Sequence, residues 1–161
     1  GEHLLDLEAR IGRCRVERQK AAPWARESEE LLAITTFVAF QSRGQPIAPP
    51  PDPRLEPFRV RGERLYRQRI GQLDLACAQC HDEHAGQRLA GSVIPQAHPT
   101  GYPIYRLEWQ GLGSLQRRLR GCMSGVRAEP YPYDAQELVE LETYLAQRAA
   151  GLNIETPAVR P

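Results

Sequence analysis

"CAQCH", residues 77 to 81, decides how the rest of the chain is read. It is a C-x-x-C-H, the spacing of covalent c-type haem attachment. The two-residue gap matches the separation of the two haem vinyl groups, to which Cys77 and Cys80 would add. His81, the next residue, is placed to bind the iron from the proximal side. A zinc knuckle would need a second Cys/His pair at similar spacing, and the remaining cysteines, Cys14 and Cys122, are single and remote. A thioredoxin-like redox pair would need a βαβ setting, and no strand pattern surrounds this one. One haem c held through Cys77 and Cys80, with His81 on the iron, is therefore expected. Such haem is attached on the oxidising side of a membrane, which implies a periplasmic protein.

The flanks fit a mainly α fold of the c-type cytochrome kind. "PFRVRGERLYRQRIGQL", residues 57 to 73, places Phe58, Gly62, Leu65, Tyr66 and Ile70 at roughly helical spacing. "DAQELVELETYLAQRAAG", residues 134 to 151, sets Leu138, Leu141, Tyr144 and Leu145 on one face, with Asp134 as the expected N-cap and Gly151 as the stop. Terminal helices of this kind cross at a small residue and an aromatic, and Gly62 and Tyr66 suit that crossing. Between the helices, "GSVIPQAHPTGYPIY" reads as loop.

The second chemical signal is "LQRRLRGCMSGVR", residues 115 to 127. Cys122 stands among Arg117, Arg118, Arg120 and Arg127. A thiolate is the nucleophile and metal ligand, and cations favour it over the thiol. A helix is expected here, with Leu112, Leu115 and Leu119 inward and its C-terminus near Gly121. Arg118 and Cys122, four apart, then share a face. Two residues compete for the second iron position: Cys122, and Met123, the usual partner of His in electron-transfer cytochromes. As a buried small apolar residue, Cys122 would leave the four arginines unexplained. Nucleic-acid binding by the arginines lacks the interleaved aromatics such sites carry. His84 and His98 read as loop residues.

The net charge of +1 argues neither for nucleic acid nor for an acidic membrane. Twenty of the 21 basic residues are arginine, a side chain whose fork suits planar anions. The longest apolar run, "LLAITTFVAF", is too short to span a bilayer, so the reading is a soluble or exported chain with no membrane segment.

The start of the chain also resembles its end. Pro23 and Pro130, Trp24 and Tyr131, Leu31 and Leu138, Ile34 and Leu141, Phe37 and Tyr144, Val38 and Leu145, Gly44 and Gly151, and Ile47 and Ile154 are each 107 apart; Cys14 and Cys122 are 108 apart. Arg10 lies four before Cys14, as Arg118 lies four before Cys122. An internal repeat of this kind predicts tandem cytochrome c-like units, the first incomplete in this chain. Residues 1–45 are expected to be the C-terminal half of a first unit, 46–57 ("PIAPPPDPRLEP") a stiff linker, 58–152 the haem-bearing domain and 153–161 an extended tail.

"CRVERQ", "ESEELLAITTFVAFQSRGQPI", "ACAQCHDEHAGQRLAG", "GYPIYRLEWQGLGSLQRRLRGC" and "GVRAEPY" together resemble the SoxA family, the larger subunits of the SoxAX cytochromes of bacterial thiosulfate oxidation. The resemblance covers most of residues 5 to 157. It implies an active-site haem with His81 and Cys122 as axial ligands, Cys122 often being a persulfide. It implies that Arg118 lines a substrate channel. It implies an L-cysteine S-thiosulfotransferase subunit that binds the small cytochrome SoxX, joins thiosulfate to a cysteine of the carrier SoxYZ, and passes two electrons to a soluble acceptor. Cys14 falls where members with a second haem carry another axial cysteine, and a second haem would belong to a segment before Gly1. A plain His/Met electron-transfer cytochrome is the alternative.

Overall fold

The computed structural model describes residues 3–161; Gly1, where the first expected segment starts, lies outside them. Five helices carry the architecture: α1 (Leu7–Glu17), α2 (Glu29–Phe40), α3 (Glu56–Arg67), α4 (Leu115–Gly125) and α5 (Gln136–Arg148). Five strands of two or three residues accompany them: β1 (Arg88–Leu89), β2 (Ser92–Val93), β3 (Ile104–Arg106), β4 (Gly111–Gly113) and β5 (Val159–Arg160). β1 and β2 pair antiparallel, while β3 lies between antiparallel β4 and parallel β5. The sequence shows none of these strands, because two or three residues are too few for a period-two pattern to stand out.

The core forms where α3 crosses α5. Tyr66 is 1% exposed and packs with Met123, Leu138, Leu141 and Leu145. Burying each such leucine contributes about 1.5–3 kcal/mol. The crossing is close because of Gly62: a Cβ there would stand 2.1 Å from the Glu140 carbonyl oxygen. The Tyr66 and Tyr144 rings meet tilted, at 5.3 Å between centroids, beside it, and Arg61 bonds Glu140 at 2.7 Å on its rim.

Three helix starts have a local side-chain cap. Asp6 accepts a hydrogen bond from the Ala9 amide, Ser28 from Leu31 and Ser114 from Arg117, as N-cap oxygens do. α5 departs from expectation. Its N-cap is Ala135, not Asp134, because the Asp134 carboxylate is taken by Arg26 and its amide donates to Gln116. An ion pair to a distant segment outcompetes a local cap. α4 also departs from expectation at both ends. Leu112 belongs to β4, and the helix continues to Gly125, so Gly121 and Cys122 are interior.

The helices correspond in pairs. α1 and α4 are both eleven residues long and begin 108 apart, at Leu7 and Leu115; α2 and α5 begin 107 apart, at Glu29 and Gln136. The non-glycine residues with positive φ correspond too, Lys20 with Arg127 and Glu27 with Asp134, and so do Gly44 and Gly151. After α2 and α5 the chain segments pair with each other. Gly44 donates to the Ile154 carbonyl, Ile154 to Gln45, Ile47 to Leu152, and Gly151 to Ile47.

A seam of polar side chains joins α1 to α4 and α5. Arg26 bonds Asp6, Glu8 and Asp134, and Gln116 donates to Asp6 at 2.9 Å. A cavity of about 220 Å³ opens beside it, walled by Asp6, Glu8, Thr35, Tyr102, Leu115 and Glu142. Burial pushes the Glu8 carboxyl up to about 7, helped by the neighbouring Asp6 charge and opposed by Arg26. Burial also drives Glu142 well above the carboxylate range, with Asp6 and Glu8 adding to it.

Candidate functional site

The C-x-x-C-H lies on a single wide turn. Cys77 and Ala78 begin it, and residues 79–83 continue with π-type bonding, a geometry that recurs at functional sites. The Gln79 side chain accepts from the Ala76 amide at 2.8 Å and fixes its start. The preceding chain makes a turn at Gly71, at φ +70°, where a Cβ would stand 2.1 Å from the Val126 carbonyl oxygen. Gln72 and Leu73 donate to the carbonyls of Arg127 and Val126. The lead-in to the motif is thus bonded to the end of α4, which carries Cys122.

His81 Nδ1 lies 2.7 Å from the Pro95 carbonyl oxygen. A carbonyl can only accept, so Nδ1 holds the proton and Nε2 keeps its lone pair for a metal. This is the arrangement a ligating histidine needs. Cys77 and Cys80 are unpaired thiols, half-buried. The Cys77 thiol is pushed up to about 11, first by burial and then by the nearby Cys122 and Cys80. Cys122, some forty residues away in sequence, is therefore within electrostatic reach of Cys77. Two thiols, a histidine with a free Nε2 and a third thiol within electrostatic reach suit a haem c. Among the described residues no three His, Cys, Asp or Glu side chains converge as a metal-ion cluster would need, so the zinc reading gains no second ligand pair.

The structure sorts the arginines around Cys122. Arg117 faces Glu27 at 3.9 Å and stacks on Trp109 at 4.4 Å. Arg120 donates to the Tyr131 carbonyl and lies over the Tyr133 ring. Arg127 is exposed on the turn after the helix. Arg118, half-buried and one turn before Cys122, has no carboxylate partner among the described residues. Tyr102, a residue the sequence reading passed over as loop, lies within electrostatic reach of both. Burial pushes its hydroxyl up to about 12, with Arg118 opposing and Cys122 adding to the shift. The phenol, the guanidinium and the thiol are thus within electrostatic reach of one another. No sequence spacing shows this, because Tyr102 comes from the stretch between β2 and β3.

The other expected residues fall elsewhere. Met123 is 7% exposed and packed in the aliphatic core with Leu138 and Leu141. His84 is exposed. His98 is not a plain surface residue: it lines a cavity of about 400 Å³ with His81, Asp82, Gln96 and Arg148. Cys14 is exposed on α1.

The sequence model of the SoxA/TsdA cytochrome c domain matches residues 1–47 and 61–154. The L-cysteine S-thiosulfotransferase subunit SoxA of Pseudaminobacter salicylatoxidans is 38% identical over 157 residues, which are 97% of this chain and 55% of that one. The subunit of the same name from Paracoccus pantotrophus is 31% identical over 98% of this chain and 54% of its own length. A chain of the crystal structure of SoxXA from P. pantotrophus superposes with a TM-score of 0.95 at 31% identity, over 98% of this chain and 60% of that chain. The chain spans about half the length of the SoxA relatives it matches.

Proposed function

Because the chain belongs to the SoxA/TsdA cytochrome c domain family, we propose that it is the haem-bearing part of an L-cysteine S-thiosulfotransferase subunit. Cys77 and Cys80 would hold one haem c covalently, and His81 and Cys122 are the residues that would ligate its iron. Its partner is a small SoxX-like cytochrome. Its substrates are thiosulfate and a cysteine thiol of a SoxYZ-like carrier, and the electrons pass to a soluble acceptor in the periplasm. Among the described residues no helix is long and apolar enough to cross a membrane.

The observation that carries this reading is the placement of Arg118. It lies one helical turn from Cys122, within electrostatic reach of Tyr102, and no carboxylate of the described residues neutralises it. Thiosulfate is a dianion with an oxygen face and a nucleophilic outer sulfur. The Arg118 fork holds two of its oxygens by charge-assisted bonds. This aims the outer sulfur at the Cys122 sulfur, one turn along the same helix. Joining thiosulfate to a carrier thiol forms one S–S bond and releases one proton and two electrons. Cys122 carries the thiosulfonate as a mixed intermediate and yields it to the carrier's cysteine by sulfur exchange. When bound, the haem c supplies the electron acceptor for this oxidation. Met123 packs in the core, which favours Cys122 over Met123 as the second ligand.

Two wider assignments belong to the same proposal. Residues 58–152 form the haem-bearing domain, with 46–57 as linker and 153–161 as tail. Residues 1–45 form the C-terminal half of a first cytochrome c-like unit, and the matched helix lengths and left-handed positions of the two regions support that tandem reading.

The test is mass spectrometry of the peptide containing Cys122 after exposure to thiosulfate. Added sulfur or thiosulfonate mass on Cys122 is expected. An unmodified thiol, together with methionine on the iron, would favour a plain electron carrier.

A further inference from the structure

Arg148, the last residue of α5, is assigned no role by any of the chemistry above, yet it is placed around the haem-binding histidine. Its Nη2 donates to the Asp82 carboxylate at 2.7 Å and to the Gln96 carbonyl at 3.3 Å. Asp82 is the residue after His81, and Gln96 is the residue after Pro95, whose carbonyl accepts from His81 Nδ1. One guanidinium nitrogen therefore ties together the two chain segments that form the His81–Pro95 hydrogen bond, each at the adjoining residue. The Tyr66 hydroxyl donates to the same Asp82 oxygen at 2.8 Å, and the guanidinium lies over the Tyr66 and Tyr144 rings, 4.7 and 5.9 Å from their centroids. The side chain is held on all these sides and is only 20% exposed. The matching position 107 residues earlier is Gln41, whose amide reaches no further than the Phe37 carbonyl of its own helix.

We propose that Arg148 is a positioning residue for the proximal ligand: it clamps the 95–98 loop against the motif turn and so keeps the His81 Nδ1–H···O=C bond short. The proposal rests on the reading of His81 as the haem ligand. A hydrogen bond at Nδ1 raises the basicity of the ligating Nε2, and stronger donation to iron lowers its reduction potential. Loosening the clamp therefore raises the potential. This sign separates the clamp from a bare charge effect, because removing a nearby cation by itself lowers the potential of the iron.

The experiment compares haem-loaded wild type with Arg148→Met and Arg148→Lys by redox titration and by electron paramagnetic resonance of the ferric state. Haem content by covalent-haem staining and helicity by circular dichroism accompany both. Arg148→Met should shift the midpoint upward and change the low-spin g-values. Arg148→Lys keeps the charge and one hydrogen bond but loses the planar stack, and should shift the midpoint the same way by less. An unchanged or lowered midpoint in Arg148→Met, or in Arg148→Lys should the former not fold, overturns the clamp. A wild-type protein without covalent haem overturns instead the reading of His81 on which the clamp depends.

Discussion

The α1–α2 region and the α4–α5 region are built to one plan and meet different surroundings. Each opens on a capped eleven-residue helix with a cysteine at its eighth position and an arginine one turn before it. Each then passes through left-handed residues into a second helix and a glycine turn. Cys122 is half-buried, within electrostatic reach of Cys77 and Tyr102, whereas Cys14 is exposed. The face of α5 that carries Tyr144 and Leu145 is covered by α3, while the matching Phe37 and Val38 of α2 are 62% and 40% exposed. The lesson is that the helix positions a cysteine, and what faces it decides its chemistry.

The sharpest way to break the comparison is to exchange the two cysteines for alanine in turn. Cys122→Ala should cut thiosulfate-dependent electron release by about a millionfold, the scale for loss of a nucleophile. Cys14→Ala should leave that rate near wild type, and equal losses in the two variants would show that the surroundings do not set the chemistry. Next in size is the crossing only the second region has. Gly62→Ala drives a Cβ into the Glu140 carbonyl and should cost about 3–5 kcal/mol by denaturant titration. Gly12→Ala on α1, with nothing within 4 Å, should instead stabilise by about 0.5–1 kcal/mol.

A smaller effect is expected at the arginines. Arg118→Lys replaces a fork by a point charge and should slow turnover by about 10- to 100-fold with haem content unchanged, the upper figure matching loss of one charge-stabilising donor. Arg10→Lys should do nothing measurable. The smallest effect lies in the seam between the regions. Glu8 is raised to about 7 in the folded chain, so the native state holds a proton there that the unfolded chain releases near pH 4.5. Stability from this group is full below that pH and falls as the pH rises toward 7. Glu8→Gln should therefore raise the melting temperature at pH 8 and leave it nearly unchanged at pH 4.

Much of this was legible in residue patterns. CAQCH, the Gly62–Tyr66 crossing and the Arg118–Cys122 spacing are local signals, governed by interactions within one or two turns. What escaped depends on distant partners. Asp134 has the residue type of an N-cap, and Arg26, 108 residues earlier, takes its carboxylate. Leu112 fits the helical stripe but is held in β4 by pairing with Tyr105. The Pro95 carbonyl that orients His81 is backbone, to which any residue type could contribute, and Tyr102 reaches Arg118 only through the folding of the loop before β3.

The pairing of residues 44–47 with 151–154 is reciprocal: Gly44 meets the equivalent of Ile47, and Ile47 meets the equivalent of Gly44. Neither segment has other backbone partners for these amides, so neither region can detach without opening the other. The amide protons of Gly44, Ile47, Gly151 and Ile154 should then show one common opening free energy in hydrogen exchange, as members of a single cooperative unit. The α1–α2 half and the α4–α5 half would lose their structure together.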